Sequence, residues 1–137
     1  MRCNFKSEDK PQVVIVTHGR IAAEALSACK ALDREGISVG IVLLEYIKPY
    51  DEIADRLATY LPQNAKVLFL EEEIRSGGMG MNLADACIRQ GMLCEDQYAI
   101  LATDDSFVDD RSAGESIYES AGVSEKHIIQ AICELID

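Results

Sequence analysis

Val13-Val14-Ile15-Val16-Thr17-His18-Gly19-Arg20-Ile21-Ala22-Ala23-Glu24-Ala25-Leu26 opens the segment that decides the fold, and it continues through Cys29, Leu32 and Gly36 into a second apolar run from Ile37 to Leu44. An unbroken β-branched run describes a strand covered on both faces, because a strand with one wet face would alternate polar and apolar residues. From Ile21 the period changes. Ile21, Ala22, Ala25, Leu26, Cys29 and Leu32 recur at three- and four-residue spacing, on one face of a helix, and Gly36 supplies its stop. Strand, helix and strand in that order make one βαβ unit.

Working outward, Ala65 to Leu70 and Tyr98 to Ala102 repeat the apolar-strand signal. The second crossover predicts a helix capped by Asp51 after Pro49, with Ile53, Leu57 and Leu61 on one face and Pro62 beyond its end. The third predicts a helix from about Met81 to Arg89, with Leu83, Ala84, Cys87 and Ile88 inward and Gly91 closing it. Two closing helices are expected over Ala113 to Ser120 and Ser124 to Ile136, the second amphipathic through Ile128, Ile129, Ile132 and Leu135. This alternation is the mark of an α/β fold with a mostly parallel sheet and right-handed crossovers. Ordered two-one-three-four, the four runs leave a crevice between the first and third strands at their carboxyl ends. Its loops are Thr17 to Arg20 and Glu71 to Gly80.

The whole chain, residues 1–137, reads as a single domain, and 48% apolar residues suffice for its core. A formal charge of −11 repels phosphate backbones and anionic membranes, so nucleic acid and membrane surfaces are excluded as partners. No long apolar span occurs and the first ten residues have no apolar signal centre, so a soluble, cytoplasmic chain is expected. Cys3, Cys29, Cys87, Cys94 and Cys133 are odd in number and never spaced C-x-x-C, which encodes neither a disulfide framework nor a zinc site. Cys29, Cys87 and Cys133 fall on apolar helix faces as small hydrophobes.

The candidate site is the crevice. His18 and Arg20 leave the first strand at its lip, where an imidazole and a cation could meet a carboxylate or phosphate. Gly77, Gly78 and Gly80 stand between a strand and a helix, where backbone amides can cradle an anion. Against this, G-G-x-G is neither G-x-G-x-x-G nor a P-loop, and Glu71, Glu72 and Glu73 place negative charge upstream. Tight-turn packing by the glycines, and pairing of His18 and Arg20 with those acids, are the competing readings. A phosphoreceiver domain would need paired acids after the first strand, an Asp after the third and a Lys after the last, where Thr17-His18, Glu71 and Thr103-Asp104-Asp105 stand instead. No G-x-S-x-G occurs, and neither His18 nor His127 has an evident Ser or Cys partner. The run Asp104 to Asp110 lacks calcium-loop spacing.

The order of features resembles the C-terminal domain of the transketolase group of thiamine-diphosphate enzymes, most nearly the 1-deoxy-D-xylulose-5-phosphate synthase branch. The features are the opening strand, Gly turn and alanine-rich helix, then Gly36-Ile37-Ser38-Val39 and Ile47-Lys48-Pro49-Tyr50-Asp51. Glu71-Glu72 with Gly77-Gly78-Met79-Gly80, then Asp105-Ser106-Phe107 and Gly122 to Ile128, complete the set. Pyruvate dehydrogenase E1 β subunits share the P-x-D and G-G-x-G elements but differ in the late segment. Tyr50 stands where the group has Leu, and Asp110-Arg111 where it has His-Gly.

The resemblance implies a three-layer α/β/α domain with a mixed five-stranded sheet, its extra antiparallel edge strand coming from about Arg2 to Lys6. It also implies a noncatalytic assembly role, with no cofactor, no metal and no catalytic residue on this chain. Thiamine diphosphate and Mg would lie on other domains of the parent enzyme, which condenses pyruvate with glyceraldehyde 3-phosphate toward isoprenoid precursors. Expected partners are those thiamine-binding domains or subunits, together with a second copy in a homodimer through Tyr46, Ile47, Tyr50, Phe107 and Val108. A free-standing regulatory module binding a small anionic metabolite at the crevice is the alternative, and an E1 β-type domain the second.

Overall fold

The computed structural model describes residues 1–74, 76–103 and 117–137. The elements are β1 (Arg2–Cys3), β2 (Val13–Thr17), α1 (Ala22–Arg34), β3 (Val39–Leu43), α2 (Tyr50–Leu57), β4 (Lys66–Ile74), α3 (Met79–Arg89), β5 (Tyr98–Thr103), α4 (Ile117–Ala121) and α5 (Glu125–Ile136). They form a mixed five-stranded sheet in the order β1-β3-β2-β4-β5, with β1 antiparallel to β3 and every other pairing parallel. The expected two-one-three-four order of the parallel strands and the antiparallel edge are therefore both present. The edge strand is shorter than expected, but the chain beyond it stays attached: Asn4 donates its N–H to the Ile41 carbonyl at 3.1 Å and accepts the Ile41 N–H on its side chain at 2.7 Å.

Strand alternation explains why the apolar runs are continuous. In β2, Val14 and Val16 face one layer and Val13 and Ile15 the other. The first layer holds Ile53, Ala54 and Leu57 of α2 with Leu83, Ala84 and Cys87 of α3 over Phe69. The second holds Ala25, Cys29 and Leu32 of α1 with Ile128 and Ile132 of α5 over Leu68 and Leu70. Burial pushes the Cys29 thiol up to about 12 and the Cys87 thiol to about 11, so both behave as the small hydrophobes expected. Gly36 ends α1 at φ +81°, a left-handed conformation open to glycine at little cost, and lets Ile37 donate to the Leu32 carbonyl at 3.0 Å.

Three boundaries differ from expectation. Helix α2 is entered from Pro49, and Asp51 sits within its first turn, where it binds Arg89 of α3 at 2.9 Å rather than capping. Helix α3 begins at Met79, and β4 runs on through Glu71, Glu72 and Glu73 to Ile74, so the acids expected in a loop are strand residues. Asp104 to Asp110, including Phe107, Val108 and the Asp105-Ser106-Phe107 segment, Arg111 beside Asp110, and the expected helix start at Ala113 lie outside the described residues. None of the described helices is long and apolar enough to cross a membrane.

Phe69 is fully buried and meets the Tyr98 ring edge to face at 6.0 Å. Phe69→Ala should lower the unfolding free energy by about 3–5 kcal/mol, the range for truncating a buried aromatic ring, read from urea denaturation monitored by circular dichroism.

Candidate functional site

The two central parallel strands, β2 and β4, run side by side and deliver their following residues to the same end of the sheet. Thr17 closes the seam between them, its hydroxyl donating to the Leu70 carbonyl at 2.8 Å in a fully buried position. Beyond that seam strand alternation sorts the side chains. Glu71 follows the Phe69 side toward α3, and Glu72 emerges on the other side toward α4.

Glu71 is a completely buried carboxylate at the start of α3. One oxygen accepts the Met79 N–H at 3.0 Å and the other the Gly80 N–H at 2.5 Å, so an internal acid occupies the first helical amides of the glycine loop. Burial pushes its pKa above the ordinary carboxylate range. The two amides and the neighbouring His18 pull it back, and Glu73 adds to the rise. Gly80 has to be glycine here, since a Cβ would lie 2.8 Å from the Glu71 carboxylate and 2.8 Å from Ile100. Gly77 turns the chain at φ +72°, and Gly78 is the N-cap. The Asn82 amide donates to the carbonyls of Gly77 at 3.2 Å and Gly78 at 2.8 Å.

His18 and Arg20, separated only by Gly19, lie beside different acids. His18 belongs to the Glu71 side, and its Nε2 is buried with no hydrogen-bond partner among the described residues. Arg20 is largely exposed, its guanidinium 3.7 Å from the Glu72 carboxylate. Glu72 is tied in further by the Thr103 hydroxyl, which donates to its carbonyl at 2.6 Å, and by the Tyr118 hydroxyl, 3.4 Å from its carboxylate. Arg20, Glu72, Thr103, Tyr118, Ala121 and Val123 line a cavity of about 210 Å³ there. Arg20 thus pairs with Glu72 on one face of the sheet, whereas His18 lies on the Glu71 side with its Nε2 unpaired among the described residues.

Two features escaped the sequence reading. Glu71 was read as negative charge upstream of the glycines and as a partner for His18 and Arg20, not as the acid that occupies the first amides of α3. Its inward direction follows from Phe69 being inward, but only once β4 is known to extend past Leu70. His127 was read without a partner, yet its Nδ1 lies 2.8 Å from the Ser124 hydroxyl at the start of α5. Three residues apart at a helix N-terminus, the two meet across its first turn.

Glu71→Gln should cost about 1–3 kcal/mol at neutral pH, because the amide NH₂ must face a helix N–H and leaves a buried donor unpaired. The pH dependence carries a sign. With the folded pKa raised, the stability due to neutral Glu71 is complete below the ordinary value of 4.5 and is lost as pH rises through the raised value. The difference in stability between the wild-type chain and Glu71→Gln should therefore be largest at the acid end and shrink across that window, as urea titrations at a series of pH values would show.

Residues 2–128 match the family described as transketolase, C-terminal domain. The 1-deoxy-D-xylulose-5-phosphate synthase of Listeria monocytogenes serotype 4b is 32% identical over 123 residues, which cover 90% of this chain and 20% of that protein. Transketolase-like protein 2 of Homo sapiens is 29% identical over 121 residues, covering 88% of this chain and 18% of that one. A solved structure described as a split gene transketolase, inactive beta4 tetramer, covers 98% of this chain and 42% of its own at a TM-score of 0.71 and 24% identity, a likeness of fold. The chain spans about a fifth of the length of the curated relatives it matches.

Proposed function

We propose, from the premise that the chain belongs to the transketolase C-terminal domain family, that it is a noncatalytic assembly domain or subunit of a thiamine-diphosphate transketolase-type enzyme, of the 1-deoxy-D-xylulose-5-phosphate synthase kind. The observation that carries this is the engagement of the Met79 and Gly80 amides by Glu71. Those are the groups that a helix N-terminus in an open α/β sheet ordinarily offers to a phosphate. With the donors engaged and Glu72 and Glu73 nearby, the crevice does not fit a diphosphate and its metal, and thiamine diphosphate belongs to the partner domains. The substrate kind rests on the relatives, several of which are 1-deoxy-D-xylulose-5-phosphate synthases.

The test is reconstitution. The chain, co-expressed with the thiamine-binding domains of a 1-deoxy-D-xylulose-5-phosphate synthase truncated of its own last domain, should co-purify with them and restore condensation of pyruvate with glyceraldehyde 3-phosphate. By itself it should take up no thiamine diphosphate in calorimetry with Mg²⁺ present. Stoichiometric uptake by the chain alone would overturn the proposal.

Self-association belongs to the same proposal. Tyr46 is 46% exposed and Met81 46%, while Ile47 and Tyr50 are half-buried, leaving apolar surface for a second copy. A chain of charge −11 repels its copies, so sedimentation should show a dimer that strengthens with salt.

A further inference from the structure

The cavity beside Arg20 has a chemical character of its own, distinct from the assembly role. Among the described residues it is lined, besides Arg20 and Glu72, by Thr103, Tyr118, Ala121 and Val123, the Thr103 hydroxyl being already used on the Glu72 carbonyl. That leaves a small, mostly apolar interior of about 210 Å³, room only for a small ligand. At the mouth stand one base and one acid, side by side. The Arg20 side chain is 86% exposed and that of Glu72 31%, and their contact is a single long approach of 3.7 Å. The second contact of the Glu72 carboxylate, with the Tyr118 hydroxyl, is also long at 3.4 Å. Both charged groups therefore keep most of their hydrogen-bonding capacity, and a single long approach between an exposed guanidinium and a partly exposed carboxylate holds together by little free energy.

We propose that this cavity binds a free α-amino acid with a branched apolar side chain, its carboxylate on Arg20, its ammonium on Glu72 and its side chain against Ala121 and Val123. The two charges at the mouth select the class. A simple carboxylate would gain Arg20 but face Glu72, and a simple amine would gain Glu72 but face Arg20. A ligand carrying both charges on one carbon answers both groups, inserting into the loose ion pair rather than breaking it. The site lies at the carboxyl ends of β4 and β5, the side of an α/β sheet where ligands ordinarily bind.

The experiment is a ¹H–¹⁵N correlation titration of the intact chain with L-leucine, with 4-methylpentanoate and 3-methylbutylamine as the single-charge probes. Leucine should shift the amides of Thr103, Ala121 and Val123 saturably, with a dissociation constant on the order of 1 mM, the range open to a ligand of this size. Each single-charge probe should bind roughly 10-fold or more weakly. Arg20→Ala and Glu72→Gln should each weaken leucine to the same degree, while the spread of the remaining amide signals shows that the variants are folded. Absence of saturable shifts by about 20 mM leucine overturns the proposal, as does equal binding of either single-charge probe. Neither result bears on reconstitution with the thiamine-binding domains, so the two readings fail separately.

Discussion

A carboxylate with no exposure to solvent, placed where a helix begins, is the constraint on which the rest of this structure turns. Taking Glu71 out of water costs several kcal/mol unless its charge is answered. It is answered in part by two helix N–H donors and by the positive end of the α3 dipole, which offset but do not outweigh the burial that raises its pKa. The arrangement fixes α3 against β4 at its first turn. From there Met79, Leu83, Ala84, Ala86 and Cys87 are carried over Val67 and Phe69. It also dictates Gly80, since any side chain at that position would push the helix off the carboxylate. The separated motif of acid and glycines is therefore one device, a strand holding the start of the next helix.

The division of the crevice follows from the same strand. Consecutive residues of a β-strand point to opposite faces, so Glu71 and Glu72 could not serve one site. The first is committed to α3 and to the His18 side, the second to Arg20, Thr103 and Tyr118 on the α4 side. A loop containing both His18 and Arg20 thus contributes to two environments of different character, one dry and structural, the other open. Nearness in sequence was a poor guide to nearness in function here, because the sheet lies between the two.

The fold was legible because its decisive signals are local. The β-branched run at Val13 to Val16, the period change at Ile21 and the glycine stop at Gly36 each follow from steric and hydrophobic rules acting over a few residues. The order of the parallel strands then follows from the fold class. What stayed hidden was every feature that depends on the far side of a contact. Glu71 to Glu73 carry the wrong polarity for a buried strand, and only the amides of α3, brought round by the chain, make Glu71 tolerable inside. Asp51 read as a cap by residue type alone, since nothing in its neighbourhood announces Arg89 from the next helix. His127 and Ser124, three apart, were within reach of a helical-spacing rule, because residues at that spacing meet across a first turn.

The two neighbouring acids also differ in how freely evolution can alter them. Changing Glu71 disturbs a buried donor set, a helix start and a glycine that has no room for a side chain, so several changes would have to occur together. Changing Glu72 or Arg20 alters a long, partly exposed pair whose net contribution to stability is small, with the Thr103 contact held by backbone rather than by the Glu72 side chain. The face toward α3 is therefore bound to the fold, and the face toward α4 can acquire or exchange ligands while the sheet beneath it stays the same. In a domain whose glycine loop is engaged internally, that outer face is where chemical specificity can be written at least cost to stability.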